Sequence, residues 1–147
     1  MKIWRPLAFC IALLSMGRGM SAQNAPVNAA LSEARIFAAD SSPARKMANG
    51  AEIRSIVHGE LKTGESVDLH ETVQPVGTVP SPLHPINHSE FIVVREGVIA
   101  FSHDGKVERV GPGGVMYVAL GTMHSLKNVG DVPARYVVVA IGGDVKK

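Results

Sequence analysis

The sequence predicts an all-β domain built as a single sandwich or closed barrel. Three observations carry this. From Ile53 onward, β-branched and apolar residues recur in short runs at alternating positions. Turn signals rich in Gly, Pro and Asp interrupt those runs every few residues. No long stretch has the 3.6-residue apolar period of a helix. Many short strands at this spacing bury their edges by packing into a sandwich or closing into a barrel.

The elements follow in order. Ile53, Ser55 and Val57 alternate with Arg54, Ile56 and His58, and Lys62-Thr63-Gly64-Glu65 turns the chain. Val67, Leu69 and Glu71 then alternate with Asp68, His70 and Thr72. Pro75, Pro80, Pro82 and Pro85 exclude a central strand or helix between them. Residues 91–94 and 98–101 are rich in β-formers. Asp104-Gly105 predicts a two-residue hairpin, because both central positions of a type I′ turn need positive φ. Residues 107–110 return from it, Gly111-Pro112-Gly113-Gly114 turns again, and strands follow at 115–119 and 136–141. Aromatics make up only 5% of the chain, so Val, Ile and Leu must fill the core.

The start of the chain reads differently. Lys2 and Arg5 precede an apolar run from Pro6 to Leu14, then small residues around Gly17, Gly19, Ser21 and Ala22. That order is a secretory signal peptide over residues 1–22, cut after Ser21 or Ala22. The run is shorter than the roughly 20 residues a membrane helix needs. Residues 23–50 form a weakly patterned arm: 23–30 small and polar, 32–39 a short helix or strand, and a break at Ser41-Ser42-Pro43. Residues 51–147 make the barrel. The expected location is periplasmic or secreted.

Export changes the chemistry on offer. Cys10 is the only cysteine and lies in the leader, so the mature chain has neither disulfide nor thiolate. Removing Lys2, Arg5 and Arg18 leaves 12 basic against 13 acidic residues, a net charge of −1. No basic patch points to nucleic acid, and no second apolar span points to a membrane once the leader is cut. No serine sits in a Gly-x-Ser-x-Gly elbow, and Gly111-Pro112-Gly113-Gly114 lacks the lysine of a phosphate loop.

Two stretches carry the remaining chemistry. The first holds Gly77, His84, Ile86, His88, Glu90 and Gly97; the second holds Gly113, Ala119, Gly121, His124 and Asn128. Together they resemble the paired motifs of the cupin superfamily, over about residues 50–143. The resemblance implies a single cupin-type, jelly-roll-like β-barrel. It also implies a metal site, because the family's ligands are three histidines and one glutamate. By position these are His84, Glu90 and His124, with Ile86 where the second histidine of His-x-His stands. Ala119 replaces a turn-shaping proline. His88 shares the parity of His84 and Glu90 and is the candidate for the missing ligand. Imidazole and carboxylate suit a divalent first-row metal ion such as iron, manganese, zinc or copper. Inward-pointing side chains on separate strands of a barrel can meet at one point.

Two functions follow from this set. One is a metal-dependent enzyme, such as an oxygenase or isomerase, acting on a small-molecule ligand, with Tyr117 and Met123 as candidates for the pocket wall. The other is a non-catalytic ligand-binding or structural barrel whose metal site has degenerated at Ile86. His58, His70 and His103 read as ordinary polar side chains, and Asn128 as a turn-bonding one. A homodimer through the Ile53–Val57 strand would cover an unpaired edge.

Overall fold

The computed structural model describes residues 29–38, 42–143 and 145. The leader, the start of the arm and both candidate cleavage sites lie outside them. Ten strands and no helix occur among the described residues: β1 (Ala29–Leu31), β2 (Arg45–Lys46), β3 (Glu52–Leu61), β4 (Ser66–Gln74), β5 (Ser89–Glu96), β6 (Ile99–His103), β7 (Lys106–Val110), β8 (Val115–Val118), β9 (His124–Asn128) and β10 (Ala134–Ile141). They form two sheets. The larger has the order β1-β3-β4-β10-β5-β8, with β2 also on β3; the smaller has the order β7-β6-β9.

Strand parity builds the core. Ile92 and Val94 of β5, Met116 and Val118 of β8, and Tyr136 and Val138 of β10 are buried on the inner face of the large sheet. They meet Ile99 and Phe101 of β6. Burial of each such aliphatic side chain contributes roughly 1.5–3 kcal/mol. Asp104 and Gly105 both have positive φ, 46° and 74°, as the predicted hairpin requires. Gly97, at φ 72°, turns β5 into β6, and a Cβ there would lie 2.7 Å from Ala134 Cα. No other residue fits that position.

The arm contributes to the barrel. β1 pairs in parallel with β3, and β2 pairs with its other end. Residues 32–38, expected as helix or strand, are neither. Beyond the arm, the unforeseen strand is β9. His124, Leu126 and Asn128 share one parity, but two of the three are polar, which hides the alternation.

One polar staple joins the sheets. Asn128 of β9 donates from Nδ2 to Gln74 O of β4 and to Val132 O, both at 2.9 Å. Its Oδ1 accepts from Gly130 N at 2.9 Å, and its own backbone N donates to Gln74 Oε1 at 2.9 Å. Both residues are buried. Asn128→Ala removes three side-chain bonds at about 1 kcal/mol each, so urea unfolding should show a loss of about 3 kcal/mol.

The β6–β7 hairpin carries a pH-sensitive clasp. His103 Nε2 meets Glu108 at 2.7 Å and Nδ1 meets Asp104 at 3.2 Å, with the ring stacked on Phe101. The bond to Glu108, then that to Asp104, raises the imidazole above its ordinary value of 6.5. A raised value means the protonated clasp contributes fully below the ordinary value and is lost as pH rises through the raised one. The stability difference between wild type and His103→Gln should therefore shrink as pH rises above the ordinary histidine value of 6.5.

Candidate metal and ligand site

A cavity of about 630 Å³ opens into the barrel. The inner face of β4 supplies His70, Thr72 and Gln74, and β10 supplies Tyr136 and Val138. The proline-rich loop after β4 forms another wall with Val79, Pro80 and Pro82, and the arm adds Met47 to Asn49. His84, Glu90 and His124 all line it.

Three separate elements bring these side chains together. His84 sits on the proline-rich loop and forms a two-hydrogen-bond bridge with His124 at the start of β9: His84 N to His124 O at 3.2 Å, and the reverse at 3.1 Å. The two rings stand 4.9 Å apart. Glu90 comes from β5, two strands of register away from Asp68 through Ala140.

Backbone carbonyls set the tautomers. His84 Nδ1 faces Pro82 O at 2.9 Å, and His124 Nδ1 faces Thr122 O at 3.2 Å. A carbonyl only accepts, so each neutral ring carries its proton on Nδ1 and presents a lone pair at Nε2. His124 Nε2 stands 3.9 Å from Glu90 Oε2. In that neutral form two acceptors face one another with no donor between them. His88, the candidate for the missing ligand, faces the same carboxylate from outside the cavity. Its Nε2 lies 2.9 Å from the other carboxylate oxygen, Glu90 Oε1, and it is not a lining residue of the cavity.

A second polar group lies along the same inner face. Asp68 accepts from His70 Nδ1 at 3.0 Å on one oxygen and from His58 Nδ1 at 3.2 Å on the other. Burial pushes its carboxyl up, but the bonds and charge attraction from His70 and His58 outweigh this and hold it below the ordinary Asp value. Deeper in, burial pushes the Tyr136 phenol up to about 12, against weaker opposite effects from Thr72 and Gln74. Gln74 Nε2 donates to Tyr136 Oη at 3.0 Å. The sequence reading of His70 as an ordinary polar residue missed its place in the cavity wall. The available signal was parity, since Asp68, His70, Thr72 and Gln74 share one strand face.

The paired sheets and the histidine–glutamate cavity mouth invite comparison with known proteins. The Cupin_2 family, described as a cupin domain, matches residues 69–140. The chain belongs to the cupin superfamily. An RmlC-like cupin from Shewanella frigidimarina NCIMB 400 superposes with a TM-score of 0.63 at 13% identity, covering 76% of this chain and 94% of that one. A predicted oxalate decarboxylase from Thermotoga maritima gives 0.57 at 18% identity, with 73% and 98% covered. The polyketide cyclase RemF from Streptomyces resistomycificus gives 0.58 at 21%, with 76% and 85% covered. At such identities the likeness establishes the cupin barrel alone. A search of curated proteins found no match.

Within this cupin, Ile86 is 7% exposed and packs in the core cluster. Asn128 has the bonding role expected of it, as the staple between sheets. Tyr117 and Met123, expected at the pocket wall, are exposed and do not line the cavity. Tyr117 falls on the outer parity of β8, opposite to buried Met116 and Val118. Among the described residues, no three His, Cys, Asp or Glu side chains stand close enough to share one ion.

The tautomers are directly measurable. Long-range ¹H–¹⁵N spectra at pH 8 should show His84, His124 and His70 protonated at Nδ1, and Asp68→Asn should alter His70 without altering His124. Protonation at Nε2 of His124 would remove the lone-pair opposition with Glu90.

Proposed function

We propose that this protein is an exported cupin that holds a divalent first-row metal ion between His84, Glu90 and His124 and binds a small molecule in the adjoining cavity. The observation that carries the reading is the lone pair of His124 Nε2 facing the Glu90 carboxylate across 3.9 Å. A cation between them satisfies both groups, whereas a neutral ring has no Nε2 proton to offer the carboxylate. The donor set suits such an ion: two imidazoles, each with Nδ1 at a backbone carbonyl, plus a carboxylate. His84 is exposed on its loop, so its ring has room to close on the pair.

The remaining residues have distinct parts. His88 holds Glu90 Oε1 and fixes the carboxylate plane, an outer partner rather than a ligand. When bound, the ion would supply Lewis acidity and open positions for a chelating ligand. Tyr136, Gln74 and Thr72 give the ligand hydrogen-bonding groups, while Val138 and Val79 give it apolar contact. Oxygenase and isomerase substrates are the first to screen. A non-catalytic barrel with a decayed site is the second reading, favoured by Ile86 in the core.

Metal content decides between them. Protein purified without chelator or affinity nickel should carry near-stoichiometric iron, manganese, zinc or copper, and His124→Ala should lose it. Ile86→His should tighten binding more than about tenfold. Native protein that takes up no metal on titration, beside an Ile86→His variant that does, would establish the second reading. Export has its own check. Edman sequencing of protein from the periplasm or medium should begin at Ala22 or Gln23.

A further inference from the structure

Two groups of titratable side chains share the inner face of the large sheet. One surrounds Glu90. The other is His58, Asp68 and His70, on β3 and β4, and the proposed ion gives it no part. Strand register keeps the two apart, with Asp68 and Glu90 flanking Ala140 of β10 from opposite sides. His70 lines the cavity, whereas Asp68 and His58 do not. Its Nδ1 is bonded to Asp68 Oδ2 at 3.0 Å, which leaves the Nε2 edge of the ring for the cavity. Its side chain is 23% exposed, so the ring can be reached from the opening.

We infer that His70, held by Asp68, accepts a proton from an uncharged, weakly acidic hydroxyl compound of the phenol or enol class bound in the cavity. The inference rests on the cavity being a ligand site, and not on the ion. Asp68 is what separates His70 from the other cavity histidines. His84 and His124 have Nδ1 at neutral carbonyls, and His70 has it at a carboxylate. A carboxylate fixes the tautomer as a carbonyl does, and it also stabilises the imidazolium that forms when Nε2 takes a proton. His58 donates to the other oxygen of Asp68 at 3.2 Å. Against the cost of burial, these two bonds keep the carboxylate ionised. The register partners of His70, Val138 on β10 and Ser55 on β3, do not titrate.

The ligand class follows from the walls. Among the described residues, no lysine or arginine lines the cavity. A ligand arriving as an anion would meet no permanently charged cationic side chain, and burying its charge unpaired is costly. An uncharged hydroxyl compound enters without that cost and ionises in place. Its O–H bond breaks, an N–H bond forms at His70 Nε2, and the oxyanion stays beside the imidazolium. Ile53, Val79, Leu126 and Val138 give the body of the ligand apolar contact.

The test uses para-nitrophenol, whose anion alone absorbs visible light and which has no second oxygen placed to chelate an ion. The full chain is first stripped of metal, so the outcome does not depend on whether His84, Glu90 and His124 hold one; metal uptake is measured separately. Below the pKa of the free probe, protein should raise the anion band saturably, and ¹H–¹⁵N spectra should show His70 gaining a proton at Nε2. His70→Gln should cut the band about tenfold or more. Asp68→Asn should cut it while equilibrium dialysis shows the probe still bound, now neutral. His103→Gln, outside the cavity, should leave it unchanged. Circular dichroism establishes that each variant is folded, and the wild-type spectra decide without any variant if one is not. A probe that binds only as the neutral phenol, or not at all, overturns the inference. So does an anion band that survives His70→Gln.

Discussion

The structure depends on a polar staple in an otherwise aliphatic sandwich. Gln74 and Asn128 are buried between sheets and satisfy almost every donor and acceptor they carry. Apolar packing alone is non-directional and tolerates sliding of one sheet over the other. A buried amide left unpaired costs roughly 1–3 kcal/mol, so a slip that broke this network would be strongly disfavoured. The staple therefore selects one register between β4 and β9. That register is what brings His124, at the head of β9, to the cavity that Gln74 lines.

Once the register is set, the polar cavity follows from strand alternation. On β4 the inner parity carries Asp68, His70, Thr72 and Gln74, and on β5 it carries Glu90 before turning apolar at Ile92 and Val94. One end of the barrel is thus closed by aliphatic side chains and the other is rimmed by titratable ones. Each rim histidine has one ring nitrogen tied, His70 to Asp68 and the others to carbonyls. Tying one nitrogen orients the ring and leaves the other nitrogen for the cavity, which is the usual preparation of an imidazole for a ligand or a proton.

The fold was legible in the sequence because its strands are mostly aliphatic on one parity and its turns use Gly, Pro and Asp where backbone geometry demands them. Asp104-Gly105 is the plain case, with both φ values positive. The resemblance to paired cupin motifs selected His84, Glu90 and His124 as candidates, and all three line one cavity. Three features were not legible. β9 hid because two of its three inward residues, His124 and Asn128, are polar. The arm hid because β1 and β2 are three and two residues long, too short for any period to register. His88 hid its partner because hydrogen bonding to Glu90 depends on side-chain direction, which parity does not supply. Tyr117 was misplaced for the opposite reason: its parity with exposed Val115 was readable and points outward.

Ile86 ties the core to the site. A histidine there would put a polar ring among Ile92, Val118 and Phe101, at a cost of a few kcal/mol unless a metal or hydrogen bond satisfied it. Isoleucine instead contributes roughly 1.5–3 kcal/mol of burial without any ligand present. This part of the core therefore does not depend on an ion, whereas a buried histidine in its place would need a partner to offset its desolvation. The consequence for chemistry runs the other way. With one neutral donor fewer, an ion held as proposed by His84, Glu90 and His124 would keep more of its coordination sphere open and be bound less tightly. With a single cysteine, at position 10, the chain forms no internal disulfide, so its stability comes from its core, and at residue 86 that core holds an isoleucine.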